Sequence, residues 1–191
     1  MARHRKYLKF CQPLIDAAES GNLGMLELLL QMGMDANGQG VHGHRALHVA
    51  SKNRPACEIL LRYGADPRSR CFGGTVTGWA RHGGDLATAR FHAEHSRSLL
   101  DAAVSGHVAL ARELLASDPS CVRERSPTGE TPLHLLPEDR DSAESLTALL
   151  LAHGADRQAR NRAGQTAAEA LEARGLDEQA DLLSANMFPS R

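Results

Sequence analysis

The sequence predicts an all-α protein assembled from stacked helix-turn-helix repeats, and three observations carry that reading. Hydrophobic residues make up 42% of the 191 residues but aromatics only 4%, so the core must be built from Leu, Ala, Val and Ile, as in packed helices. A short segment also recurs: Gly43-His44-Arg45-Ala46-Leu47-His48-Val49-Ala50 is matched by Gly129-Glu130-Thr131-Pro132-Leu133-His134-Leu135-Leu136. Finally, each copy leads to an apolar helix that exits through Gly-Ala-Asp, at Gly64-Ala65-Asp66 and Gly154-Ala155-Asp156. Self-similarity of this kind marks a repeat architecture, and the length suits one domain or one short array.

The two copies resemble the ankyrin repeat, whose pattern is a turn, T-P-L-H-x-A opening a first helix, a second helix with a leucine pair, and a G-A-D exit. The second copy carries Thr131-Pro132-Leu133-His134 in full. Thr131 is expected to cap its helix, Pro132 suits the first helical position, and Gly154 can stop the second helix in a left-handed conformation. Weaker copies extend the array. One runs from Leu14-Ile15-Asp16-Ala17-Ala18 through Leu28-Leu29-Leu30, another from Gly73-Gly74-Thr75 through Trp79 to Gly84. A further copy runs from Leu99-Leu100-Asp101-Ala102-Ala103 through Leu114-Leu115, and the last from Gly164-Gln165-Thr166 to Leu182-Leu183. The expected fold is therefore an ankyrin-repeat solenoid of about six helix-turn-helix repeats with short β-hairpin tips.

The opening at Leu14 recurs at Leu99, 85 residues later, and Gly43 pairs with Gly129, Gly64 with Gly154 and Gly84 with Gly175 at offsets of 86, 90 and 91. The second half thus repeats the first, and the repeats are expected as two related three-repeat blocks. The corresponding organisation is a basic lead-in at 1–13, block one at 14–97, block two at 98–188 and a tail at 189–191. Where the blocks meet, Phe91-His92-Ala93 replaces the leucine pair and His95-Ser96-Arg97 replaces Gly-Ala-Asp, so the usual hairpin is expected to be missing. A continuous stack and two angled lobes both fit this joint. Three repeats are close to the minimum that can stand alone, which favours continuous stacking.

Arg3, Arg5, Lys6 and Lys9 are followed by Cys11-Gln12-Pro13 rather than by the apolar stretch of a signal peptide, and no apolar run is long enough to cross a bilayer. The four cysteines lie far apart with no C-x-x-C pair, which points to reduced thiols. A cytoplasmic protein without a membrane partner is expected, and the scarcity of Lys beside Arg fits a GC-rich bacterial coding sequence.

In ankyrin proteins the partner is gripped by hairpin tips and by exposed residues of the first helices, so the resemblance implies a protein partner of unstated identity. It places Val41, His42, His44, Phe72 and Glu130 at tips, and Lys52, Asn53, His82, Glu138 and Asp139 on first helices. It assigns Leu47, Leu60, Leu61, Leu133, Leu149 and Leu150 to the core. Residues 1–97 carry net charge +5 and 98–191 carry −6, an asymmetry that would guide encounter with a complementary partner or head-to-tail self-association. The chain is expected as a monomer or as one subunit of a hetero-complex.

Other chemistries find less support. Gly38-Gln39-Gly40-Val41-His42-Gly43 spells G-x-G-x-x-G, but the dinucleotide fingerprint requires a preceding strand in a βαβ unit, and here a leucine-rich helix precedes it. His42, His44 and His48, or His92 and His95, lack a Cys or carboxylate cluster at zinc-ligand spacing. No H-E-x-x-H, G-x-S-x-G or P-loop motif is present. No catalysis, cofactor or metal is expected, and nucleic acid is not the expected partner. The alternatives are nucleic-acid binding by the basic N-terminal half and a metal-dependent activity at a histidine cluster.

Overall fold

The computed structural model describes residues 11–184. The basic lead-in residues Arg3, Arg5, Lys6 and Lys9 and the tail 189–191 lie outside them. The chain divides into two compact units that meet between Ser96 and Arg97.

The first unit holds three antiparallel helix pairs: α1 (Gln12–Ser20) with α2 (Leu23–Gln31), α3 (Ala46–Val49) with α4 (Arg54–Arg62), and α5 (Val76–His82) with α6 (Leu86–Ser96). First helices stack on first helices, α1 on α3 and α3 on α5, while α2 stacks on α4. The layer between them is filled by Leu14, Leu26, Leu47 and Leu60, all buried, so each repeat covers the apolar face of its neighbour. Leu61, expected in the core, is only partly buried against this cluster. In the register of α4, Cys57 and Leu60 take the inward positions, which leaves Leu61 at the edge of the buried stripe.

Each second helix in this unit starts on a polar cap. Asn22 accepts from the Met25 N–H at 3.1 Å, Asn53 from Ala56 at 3.2 Å and Asp85 from Thr88 at 2.9 Å, satisfying donors that have no partner within the helix. Asn53, expected on a first helix, is therefore the cap of α4. The connections ahead of the first helices project as fingers. One is closed by an isolated bridge between Gln39 and Arg45. The other is a hairpin of β1 (Arg70–Cys71) and β2 (Gly74–Thr75), with Arg70 opposite Thr75 and Cys71 opposite Gly74.

The second unit contains α7 (Leu99–Val104), α8 (Val108–Ser117), a 3₁₀ turn at Pro119–Arg123, a second at Pro132–Leu135, α9 (Arg140–Ala152), α10 (Ala167–Glu172) and α11 (Asp177–Ser184). The stacking rule is the same: α7, the second 3₁₀ turn and α10 form one layer, and α8, α9 and α11 the other. Thr131-Pro132-Leu133-His134, expected to open an α-helix, makes only the 3₁₀ turn. The residue before a proline is driven out of helical conformation, and Leu136, which precedes Pro137, is extended at φ −55°, ψ 144°. Thr131 and His134 close a capping box on each other, with the Thr131 N–H donating to His134 Nδ1 at 3.2 Å. At the start of the unit, Arg97 has a left-handed φ of 51°, and the Glu124 carboxylate accepts from Ser98 Oγ at 2.9 Å and Leu99 N–H at 2.8 Å.

Candidate protein-binding surface

The first finger is held by close backbone approach. A Cβ at Gly38 would stand 2.0 Å from Cys11 Sγ and one at Gly40 would stand 2.5 Å from Gln12 Oε1, so those glycines are steric requirements of the finger and not a phosphate cradle. The Val41 N–H donates to Gln12 Oε1 at 2.9 Å. That bond pins the tip while leaving the Val41 side chain 57% exposed. His42 beside it is exposed.

In the hairpin, the two-residue turn Phe72-Gly73 has positive φ at both positions, 49° and 82°, the pattern of a type I′ turn. That turn normally takes Asn, Asp or Gly first, because Cβ crowds the following carbonyl oxygen there, a clash that Gly avoids and that Asn and Asp offset with local hydrogen bonds. Phe72 nevertheless occupies it and is 71% exposed. His44, half-buried, bridges the fingers, its ring edge-on to Phe72 at 5.1 Å and to Trp79 at 6.1 Å between centroids. Trp79 lies over Gly74, where a Cβ would come within 2.8 Å of Nε1, and meets His48 edge-on at 5.5 Å. Lys52, just past α3, and His82, the last residue of α5, are exposed, and the Lys52 stem crosses Gly83, where a Cβ would stand 1.8 Å from Cε.

The structure thus brings His44 and Phe72 together with Trp79, a residue without an expected surface role, while Val41 stands exposed at the neighbouring tip. Trp79 follows the turn motif Gly74-Thr75 by a few residues, and an aromatic at that spacing is the signal that would have found it. The residues expected in the second unit behave differently. Glu130 is half-buried, and its Oε2 accepts from Thr128 Oγ1 at 2.7 Å and Ser126 Oγ at 3.1 Å. Glu138 and Asp139 do not sit on a first helix, because Pro137 has already ended it. Asp139 is the cap of α9, accepting from the Ser142 N–H at 3.0 Å, and the Glu138 carbonyl accepts from Gln179 Nε2 at 2.7 Å.

The buried histidines are structural ties. His48 Nε2 meets the Gly74 carbonyl at 3.3 Å and His134 Nε2 meets the Gln165 carbonyl at 3.1 Å, each joining its turn to the next finger. His92 is wholly enclosed, with Nε2 3.3 Å from the Ser51 carbonyl and 3.6 Å from Cys57 Sγ. It stands seven residues after its cap, as Leu60 does in α4, so it fills a core leucine position. Burial lowers the pKa of both His48 and His92 to about 4, and burial raises that of Cys57 to about 12, so the Cys57–His92 contact is a neutral thiol against a neutral imidazole and not an ion-pair nucleophile. Among the described residues, no group of three or more His, Cys, Asp or Glu side chains is placed to hold a metal ion. The four cysteines are free thiols, and no described helix is long and apolar enough to cross a membrane.

Charge also resolves more finely. Of the +5 carried by the first half, the four cations Arg3, Arg5, Lys6 and Lys9 precede the described residues, and residues 11–96 hold as many acidic as basic groups.

Comparison with known proteins agrees with the geometry. A family model for ankyrin repeats in three copies matches residues 4–71. The ADP-ribosylation factor GTPase-activating proteins AGD2 and AGD4 of Arabidopsis thaliana are 43% and 42% identical over 72 residues, which is 37% of this chain. That match spans 9% of those relatives' length. An ankyrin repeat domain from Acinetobacter baumannii shares the fold at TM-score 0.56 and 25% identity, over 90% of this chain and 96% of that one. A chain of the structure of the predatory endopeptidase Bd0816 from Bdellovibrio bacteriovorus in complex with the immunity protein Bd3460 matches at TM-score 0.56 and 23% identity, covering 92% of this chain and 98% of that one. Stacked helix pairs, projecting fingers and paired histidine ties, together with these matches, show the ankyrin-repeat fold, with the ankyrin family model itself matched over residues 4–71.

Proposed function

We propose that this chain is a non-catalytic adaptor, inhibitor or immunity-type protein of the cytoplasm that holds one folded protein partner on the fingers of its first unit. The observation that carries this reading is Phe72, a large apolar side chain 71% exposed on a turn residue with φ 49°. Folding alone gives no reason to keep a strained, solvated aromatic there, and strain retained at an exposed tip points to function. All the exposed large hydrophobic residues among the described residues, Val41 and Phe72 included, belong to the first unit. Aromatic anchors of this kind are where binding energy concentrates. A chain of similar fold occurs in the Bd0816–Bd3460 structure, which is consistent with an immunity-type role.

The test replaces Val41, His42, Phe72 and His82 with Ala together, leaving the packed His44 in place. A partner captured from the native source and then purified should bind the variant at least about tenfold more weakly than the parent. Equal affinity would remove the finger surface from consideration.

A further inference from the structure

Granting that the fingers of the first unit hold a protein, we infer that the element they recognise is an acidic polypeptide segment carrying an apolar side chain, seated between the Val41 and Phe72 tips and the Lys52–His82 floor. From Ala36 to Asn53 and from Pro67 to Gly84 there is no Asp or Glu, while the same stretches hold Arg45, Lys52, Arg68, Arg70 and Arg81. These stretches are the outer parts of two consecutive fingers and the helices α3 and α5 that follow them; at the finger bases Asp35 and Asp66 are turned back onto backbone, accepting from the Asn37 N–H at 2.9 Å and the Arg68 N–H at 2.8 Å. The acids of α2 and α4 lie outside them and are engaged on the second helices, Glu58 with Arg54 at 2.9 Å and Glu27 with Arg62 at 3.6 Å. The equivalent segments of the second unit contain Glu130, Glu138, Asp139 and Glu169, so the cationic character is specific to these two fingers.

The cations here are held in place. Arg70 Nη1 donates to the Gly73 carbonyl at 2.9 Å, Arg68 Nε to the Ser96 carbonyl at 2.6 Å, and Arg45 Nη1 to the Asn37 carbonyl. Guanidiniums fixed by backbone keep their charge at a fixed position and lose little freedom when a partner arrives. Arg70 is thus bonded into the turn that carries Phe72, whose ring meets His44, and His44 in turn meets Trp79. The seven residues of α5 separate the hairpin from His82 by about 10 Å, which suits a short extended or turn-forming segment. A nucleic acid fits less well, since polyanion binding rests on many cations free to neutralise phosphates, and here three guanidiniums are already spent on carbonyls while the tips are apolar.

The experiment selects displayed random peptides on the full chain. The expected result is a consensus with Asp or Glu around one aromatic or aliphatic residue. A synthetic peptide of that consensus should bind at least about tenfold more weakly to Phe72→Asn and to Lys52→Glu, and its Asn/Gln counterpart should bind the parent at least about tenfold more weakly. Selected peptides that are basic or uncharged, or whose affinity survives both substitutions, overturn the acidic-segment assignment and leave the chain a protein binder through another surface. Failure to select any peptide, with a labelled single strand of DNA bound by the parent and lost in Phe72→Asn, overturns both this assignment and the protein-binding reading.

Discussion

Phe72 and His92 depart from the repeat in opposite ways, one by exposure and one by burial. A bulky residue in left-handed conformation costs roughly 1–2 kcal/mol, and Asn tolerates that conformation at the first position of a type I′ turn. Phe72→Asn should therefore raise the stability of the chain by up to about 1 kcal/mol while weakening partner binding, checked by urea unfolding beside a binding titration. Lower stability would show that Phe72 supports the fold. His92 should reveal itself through pH. With folded pKa values near 4 for His48 and His92 against an ordinary imidazole value near 6.5, the unfolded chain binds protons that the folded chain refuses. Stability is present above about pH 6.5 and is lost as pH falls toward 4, by up to roughly 3 kcal/mol per imidazole. His92→Leu, which places leucine in the register of Leu60, should remove about half of that loss. An unchanged acid profile in this variant would assign the loss to other groups.

The elements owe their limits to caps and to one proline. The Asp139 side chain is bonded to a helix N–H as the cap of α9. Asp139→Ala should cost about 1 kcal/mol, whereas Asp139→Asn, which keeps an accepting oxygen at the cap, should fall within about 0.5 kcal/mol of the parent. Paired denaturation curves separate the two. Glu124 has no counterpart in the repeat pattern, yet its carboxylate takes two backbone N–H groups of α7, Leu99 at 2.8 Å and Leu100 at 3.4 Å, as well as the Ser98 hydroxyl. Its role was invisible in sequence because the bond spans 25 residues and follows no periodicity. The 3₁₀ turn at Pro132–Leu135 was legible in principle from Pro137, since the rule that X-Pro leaves the helical region is local. T-P-L-H opens a helix only where no second proline follows within a turn.

At the scale of the molecule, the two imidazoles with shifted pKa both belong to the first unit, so acid should act on the halves unequally. Hydrogen exchange followed at neutral and mildly acidic pH is expected to lose protection in residues 11–96 before residues 97–184, and uniform loss would mean that the units open together. Core truncations should be felt in either unit. Leu60→Ala and Leu150→Ala, both at zero exposure, are each expected to cost about 2–5 kcal/mol, and Leu61→Ala clearly less because Leu61 is only partly buried.

The ankyrin-like repeat, the helix pairs, the turn glycines and most of the leucine core are legible in the residues alone, because such repeats are built from contacts close in the chain and repeated in register. So are the finger positions of Val41, His42 and Phe72, which follow from the turn motif. The Asn53 and Asp139 caps are local as well, since each side chain takes an N–H three residues on. It took the packed molecule to show that His92 is sealed in a leucine site, that Glu124 holds the start of α7, and that Trp79 joins His44 and Phe72. Each of those depends on which side chains meet across neighbouring repeats, and such meetings are set by stacking distance and helix rotation rather than by any local pattern of residues.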